Sequence, residues 1–328
     1  MNQPTASDMN LPRIDLVRER AQLLRELRVF FDTRGFFEVQ PPCLSRDCVV
    51  DAYIDPIRVG SKQLGIAEDL PEYLYLQTSP ELAMKRMLAA GAPSIYSIGP
   101  VFRSGESGDH HNIEFTMLEW YHLGANIDDE ITLLGELAST ILDSDGYDIS
   151  NYRDVFTQSL GFDPIDAPAS TLQEVVSEID ENLACSISGD RDLMLDVILS
   201  HRIQPNLGKD RPLIIKNYPI TQAALARPAI DDPKCAARFE LIAGGVELAN
   251  GYDELLDADV LVQRAQQSNQ LRQAGGRHPL PVETSLVDAM RKGFPACAGV
   301  ALGVDRLLMM RTSSLSLGPV IPFPIRIA

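Results

Sequence analysis

Between residues 16 and 34 the apolar side chains recur at three- and four-residue spacing. Leu23, Leu24, Leu27, Phe30 and Phe31 share one side and arginines and glutamates the other, which predicts an amphipathic helix. Asp15 reads as its N-cap and Gly35 as its stop. A strand over 36–40 follows and closes at Pro41-Pro42, since proline gives a ladder no N–H. Residues 72–79 predict another strand, with Ser79 as N-cap candidate of a helix that opens at Pro80. Glu81 falls in the first turn of that helix, where capping alone would account for a carboxylate.

The stretch 99–121, GPVFRSGESGDHHNIEFTMLEWY, reads as two strands joined by a polar loop. Residues 95–103 are strand-like, 104–112 contain two glycines and no apolar side chain, and 114–121 resume an apolar pattern. Period 2 in the second strand puts Phe115, Met117, Glu119 and Tyr121 on one face and Glu114, Thr116, Leu118 and Trp120 on the other. A carboxylate thus sits among aromatics. Taken alone, Glu119 reads as one wet position of an edge strand. The loop beside it, with Arg103 and two histidines, suits a ligand that is part phosphate and part cation.

Residues 126–210 are mostly helical in pattern, with breaks at 163–170 and 188–190 and no cluster that carries chemistry. Strands return at Pro212, and 239–243 and 246–249 flank Gly244-Gly245, a two-residue hairpin signal. There Ile242 faces Glu247, and Glu240 lies two residues along on the same face. The two carboxylates become diagonal neighbours, which repel unless a cation sits between them. Asn250-Gly251 is read as a turn, followed by a polar helix over 257–273 and another helix near 284–292. The run CAGVALGVDRLLMMRT predicts an apolar strand and then a helix with Arg306 near its start.

Composition narrows the class. The chain has 328 residues, 46 acidic against 29 basic, and a formal charge of -17, which disfavours a surface that grips nucleic acid nonspecifically. Five cysteines without a CxxC pair fit a reducing compartment and argue against a disulfide framework or structural zinc. The first ten residues have neither a basic region nor an apolar core, and no uncharged run approaches a membrane span. The expectation is a cytoplasmic enzyme with a flexible N-terminus over 1–13 and a single domain over 14–328.

In this order the segments resemble the catalytic domain of class II aminoacyl-tRNA synthetases, in particular the lysyl branch. The first helix with GFFEVQPP is similar to that family's first motif, 99–121 to motif 2, and GVALGVDR to motif 3 with Arg306; TSPELAMKRML and FELIAGGVELANGYDEL are similar to the lysyl branch. The resemblance implies an α+β fold, an antiparallel sheet flanked by helices, and a homodimer built on the first motif. Lysyl-tRNA synthetases carry an anticodon-binding domain ahead of that motif, and here about fifteen residues precede the helix. The chain is therefore expected to lack that domain, and with its negative charge tRNA charging is disfavoured. It looks like a member of the elongation factor P lysine ligase family, which activates (R)-β-lysine with ATP and transfers it to a lysine of elongation factor P.

The resemblance also implies roles. Arg103 would hold the α-phosphate and Arg306 the γ-phosphate, since a guanidinium fork matches phosphate oxygens. Phe115 would stack on adenine, His111 and Asn112 would hold the nucleotide from the loop, and Ser104, Gly105, Glu106, Leu248 and Gly303 complete the ATP-binding set. Glu240 and Glu247 would bind Mg2+. Glu81, Glu119 and Glu254 would meet the two ammonium groups of lysine or (R)-β-lysine, with Ser79, Pro80, Tyr121, Asn250 and Tyr252 around them.

The chain departs from the family pattern in places. Glu106 comes one position late, after Gly105; Asp109 replaces a basic residue; Ile113 stands where proline is usual. Ala301 replaces the glycine of lysyl-tRNA synthetases, which should reshape the pocket floor and hints at a β-amino acid. Two other functions are compatible with this fold: a minimal ligase acting on tRNA or a small acceptor, and a non-catalytic amino acid sensor. Decay to a sensor should show first in the ATP contacts, yet Arg103, Glu240, Glu247 and Arg306 are all present.

Overall fold

A computed structural model of the chain describes residues 11–65 and 70–328. The N-terminal stretch expected to be flexible lies, as far as residue 10, outside the described residues. By its contacts the chain divides into two units, one formed by the residues up to Ala125 together with Leu255–Ala328, the other by Asn126–Glu254.

The first unit opens with α1 (Ile14–Asp32), which buries Leu23, Leu27, Phe30 and Phe31. Its N-cap is Arg13 rather than Asp15; Asp15 lies in the first turn and pairs with the Arg13 guanidinium at 2.5 Å, so its charge serves the helix from inside. Gly35 (φ 79°) turns the chain after the helix. The strand expected over 36–40 shortens to β1 (Phe37–Glu38), because Pro41 and Pro42 follow closely. Three short strands, β2 (Leu44–Ser45), β3 (Arg58–Gly60) and β4 (Tyr73–Leu76), form a small antiparallel sheet in the order β2-β4-β3.

Helix α2 (Glu81–Ala89) comes next, then β5 (Ile95–Phe102) and β6 (Glu114–Leu123), antiparallel with Phe102 opposite Glu114. The two faces of β6 diverge as period 2 predicts. Trp120 is fully buried and packs on Phe31 of α1, with ring centroids 5.0 Å apart. Tyr121, on the other face, belongs to a core with Met84 and Leu88 of α2.

The second unit holds α3 (Ile127–Leu142), started by an Asn126–Asp129 capping box, then β7 (Asp148–Asn151) and the helices α4 (Tyr152–Leu160), α5 (Ala169–Ile179), α6 (Glu181–Ser186) and α7 (Arg191–Ile198). Strands β8 (Leu213–Pro219), β9 (Cys235–Ala243) and β10 (Val246–Asp253) follow, in the sheet order β10-β9-β8-β7. Tyr152, Phe156, Val176 and Leu195 from the helices bury against Ile215, Tyr218 and Ile242 from the strands. The strand β7 has too few apolar residues to stand out in the sequence, and its place comes from parallel pairing with β8.

The β9–β10 hairpin turns at Gly244 and Gly245, both at positive φ, with Ala243 opposite Val246 and Ile242 opposite Glu247. Beyond Glu247 a bulge at Leu248 shifts the register, so Asn250 comes opposite Glu240. Asn250-Gly251 is not a turn, since β10 runs straight through it. Glycine is required at 251 by close approach: a Cβ there would lie 2.3 Å from the Phe239 ring.

The chain then returns to the first unit with α8 (Ala258–Ala274), α9 (Ser285–Lys292), β11 (Cys297–Gly303) and α10 (Val304–Arg311), and β11 lies beside β6 in the order β1-β5-β6-β11. Both units thus carry mostly antiparallel strands flanked by helices, an α+β architecture; among the described residues only β1–β5 and β7–β8 are parallel pairs.

Candidate active site

In the first unit, two carboxylates lie buried close to one helix. Glu119 on β6 is 2% exposed and Glu81 at the start of α2 is 8% exposed, a degree of burial acids reach only when paired. Ser79 Oγ donates to Glu119 Oε2 at 2.6 Å and the Tyr121 hydroxyl to Oε1 at 2.7 Å. Burial, and then the neighbouring Glu81 carboxylate, push Glu119 up to about 7 against the two hydrogen bonds and the Lys85 ammonium, which act the other way. Directly opposite Glu119 in the ladder are Ser97 of β5 and Ala301 of β11. Ala301 is therefore the cross-strand neighbour of this acid, and a larger side chain there would crowd it.

Ser79 has a different role from the expected cap. Pro80 occupies the N-cap position, and Ser79, one residue earlier, accepts from the Glu81 N–H at 3.0 Å while donating to Glu119. One hydroxyl thus ties the start of α2 to β6. Glu81 does more than complement the helix dipole, since its Oε1 lies 2.5 Å from Nζ of Lys85, which is 3% exposed. Sequence reasoning overlooked Lys85; its spacing of four from Glu81 was the available signal.

Further along the same two strands the chemistry changes. Arg103 follows β5; its guanidinium lies over the Phe115 ring, 5.1 Å from the centroid, and 3.9 Å from Glu106 Oε1. Although Glu106 comes one place late, it still reaches the arginine. Gly105 (φ 81°) allows the turn that brings it back. The Ser104 N–H donates to the Asp55 carbonyl at 2.8 Å, and the Asp55 side chain pairs with the buried Arg272 at 2.6 Å, which fixes the loop's first residue.

The other end of the loop meets α10. Arg306 Nη2 lies 2.8 Å from His111 Nε2, and its Nε donates to the His110 carbonyl at 3.2 Å. Partial enclosure of the imidazole and the adjacent Arg306 charge hold the His111 pKa below its ordinary value, so it is neutral at pH 7 and can accept from the guanidinium. Asp305, next to Arg306, accepts the Thr116 N–H at 2.7 Å and pairs with Arg20 of α1. Gly303 closes β11 opposite Met117.

Asn112 is 6% exposed and spends its amide on the fold: Nδ2 donates to the Glu114 carbonyl at 2.6 Å, and Oδ1 accepts the Ile325 N–H at 3.1 Å. The Leu317 N–H donates to the Asp109 carbonyl at 2.7 Å. Segment 317–325 thus holds the loop at two points, an arrangement without a local sequence signal.

In the second unit the remaining candidates lie on the hairpin. Glu240, 6% exposed, accepts from the Tyr218 hydroxyl at 2.7 Å and from Arg238 Nη2 at 2.6 Å. Arg238 was not singled out in the sequence; it also lies over the Tyr218 ring, 4.7 Å from the centroid. Asn250 donates to the Tyr252 hydroxyl at 3.0 Å, and its buried Oδ1 has no hydrogen-bond partner. A buried acceptor without a donor favours a ligand that brings one. Glu254, the residue after this strand, is 1% exposed, and Leu248 is the buried bulge residue.

Glu240 and Glu247 supply hard oxygen donors on one face, and each Glu240 oxygen keeps a lone pair beyond its one hydrogen bond, so the pair suits a magnesium ion. Among the described residues no cluster of three or more His, Cys, Asp or Glu side chains could form a metal cage of protein ligands alone.

Comparison with known proteins gives a consistent picture. Residues 10–326 match the family model for tRNA synthetases class II (D, K and N). The elongation factor P (R)-beta-lysine ligase of Yersinia enterocolitica (serotype O:8 / biotype 1B) is 38% identical over 323 residues, covering 98% of this chain and 97% of that protein. Proteins of the same name from Yersinia pestis (strain Pestoides F) and Yersinia pseudotuberculosis (serotype O:1b) are 38% identical over 326 residues, 99% of this chain and 98% of each relative.

Proposed function

The chain belongs to the class II tRNA synthetases (D, K and N), and from that footing we propose that it activates (R)-β-lysine with ATP and transfers it to a lysine side chain of elongation factor P. The observation that carries this reading is the buried acid pair, Glu81 and Glu119, in the unit that also holds Arg103 and Arg306. Two desolvated carboxylates call for a cationic ligand, and two arginines on a glycine-containing loop and a helix start call for phosphate.

The amino acid carboxylate attacks the α-phosphorus of ATP; the bond to the bridging oxygen breaks and pyrophosphate leaves. The carboxylate is already ionised, so the protein needs no general base. Arg103 stabilises charge on the α-phosphate and Arg306 on the γ-phosphate, with His111 steadying the guanidinium of Arg306. Phe115 stacks on adenine, and Ser104, Gly105, Glu106, Asn112, Leu248 and Gly303 line the nucleotide. Mg2+, held by Glu240 and Glu247, supplies charge neutralisation on the phosphates when bound. In the second step the acceptor amine attacks the acyl carbon and AMP departs.

Glu81, Glu119 and Glu254 receive the ammonium groups of the diamine, helped by Ser79, Pro80, Tyr121, Asn250 and Tyr252. The orphaned Oδ1 of Asn250 suits a ligand that brings a hydrogen-bond donor. Ala301 beside Glu119 favours a β-amino acid over α-lysine. The first motif contributes a homodimer contact; Val29 and Phe37, 59% and 61% exposed on α1 and β1, are apolar enough to seek a cover. Five free cysteines suit the cytoplasm, and no helix among the described residues is long and apolar enough to cross a membrane.

The test is incubation with labelled (R)-β-lysine or α-lysine, ATP, tRNA and elongation factor P. Label on the protein factor together with ATP–pyrophosphate exchange is the expected result. Label on tRNA would point to the minimal ligase. No exchange with either amino acid would leave a sensor and overturn the proposal.

A further inference from the structure

Lys85 is an unusual component of an acidic site. Its Nζ lies 2.5 Å from Glu81 Oε1 and 5.6 Å from the centroid of the Tyr121 ring, and the residue is 3% exposed. The same Tyr121 donates to Glu119. One helix and one strand therefore bring a cation and two carboxylates together, joined by a hydroxyl bridge from Ser79 and an aromatic one from Tyr121.

A lysine is a poor occupant of a site meant to attract ammonium groups, and burying it is costly unless it is paired. Packing alone is met by Met84 and Leu88 on the same helix, so an apolar residue at 85 would serve a purely structural role. What the lysine adds is charge. Without it, the charge of Glu81 acts on Glu119 uncompensated, which disfavours the ionised form of Glu119.

We propose that Lys85 is a positioning residue for substrate recognition: its ammonium pins the Glu81 carboxylate and offsets one of the two acidic charges, so that Glu119 can ionise and receive an ammonium group of the diamine. This rests on the functional reading above and names the charge setting of its substrate site. The groups acting on Glu119 are Glu81 and Lys85 of α2, the Ser79 hydroxyl just before that helix, and Tyr121 on its own strand, while its ladder neighbours Ser97 and Ala301 are uncharged. Glu119 itself sits up at about 7 with Lys85 in place. Removing the cation therefore moves its ionisation to higher pH.

The experiment is the pH profile of pyrophosphate exchange driven by (R)-β-lysine, in the wild type and in Lys85→Met and Lys85→Arg. In the wild type, kcat/KM for the amino acid should rise with pH and level off near 7. In Lys85→Met the break should move up by about one pH unit, with KM at pH 7 raised about fivefold and kcat at saturation within about threefold. Lys85→Arg keeps the charge and should keep the wild-type break. An unmoved break in Lys85→Met, or kcat falling in step with kcat/KM, would overturn the proposal.

Should Lys85→Met fail to fold, calorimetry on the wild type decides. Binding of the diamine at pH 6.5, measured in two buffers of different ionisation enthalpy, should release about half a proton or more per site. No release overturns the proposal. Absence of any exchange in the wild type would instead defeat the functional reading, so the two failures are separable.

Discussion

The Arg306 guanidinium lies 2.8 Å from the Nε2 of His111, joining the start of α10 to a loop 195 residues earlier in the chain. The contact holds only while the imidazole is neutral, because a histidinium would repel the guanidinium. Partial enclosure and Arg306 itself keep it so at neutral pH. Arg306→Ala should lower kcat/KM for ATP by about 10²- to 10³-fold, and Arg306→Lys should recover little of it, since an ammonium lacks the fork. Pyrophosphate exchange at varied ATP checks this; near-wild-type kinetics in Arg306→Lys would count against a forked contact.

Glu119 ties stability to pH. Its folded pKa of about 7 lies above the ordinary 4.5, so the folded state holds a proton that the unfolded state gives up between those values. Stability from this group is complete below about pH 4.5 and lost as pH rises through about 7, with a total on the order of 3 kcal/mol. Relative to the wild type, Glu119→Gln should melt with a flatter dependence between pH 5 and 7.5. Parallel curves for the two proteins would show that Glu119 is ionised throughout.

Ala301 faces Glu119 across the ladder. Ala301→Gly removes one methyl beside the acid and should shift the ratio of α-lysine to (R)-β-lysine exchange toward α-lysine by about tenfold, the usual worth of one carbon in a selective site. An unchanged ratio would mean that the discrimination is made elsewhere.

Gly251 lies under the Phe239 ring, where a Cβ would come within 2.3 Å. Gly251→Ala should destabilise the protein by about 1–3 kcal/mol through overpacking, and Phe239→Leu in the same chain should restore part of the loss. Urea unfolding of the single and double variants reads both. A strictly additive double variant would separate the two sites.

Much of this was legible in the sequence because period and punctuation agree there. The alternation in 114–121 fixes the faces of Glu119 and Trp120, and Gly244-Gly245 fixes the hairpin that carries Glu240 and Glu247. What escaped is tertiary in origin. Asn250-Gly251 has the composition of a turn, but the Phe239 ring explains the glycine and the bulge at Leu248 sets the register. Ser79 has the composition of a cap, but its partner is an acid on another element. Lys85 and Arg238 do not stand out in the sequence and prove to be the ion-pair partners of Glu81 and Glu240.

Asn112 takes the N–H of Ile325, 213 residues further on. A ribosome adding roughly 5–20 residues per second needs on the order of 10–40 s to cover that span. For most of that interval, once Leu123 has been added, the residues of both strands flanking the loop exist while its far clasp does not. The nucleotide loop is thus a late acquisition of the nascent chain, and enzyme still tethered in mid-synthesis would have its phosphate arginine in place before the loop is fastened.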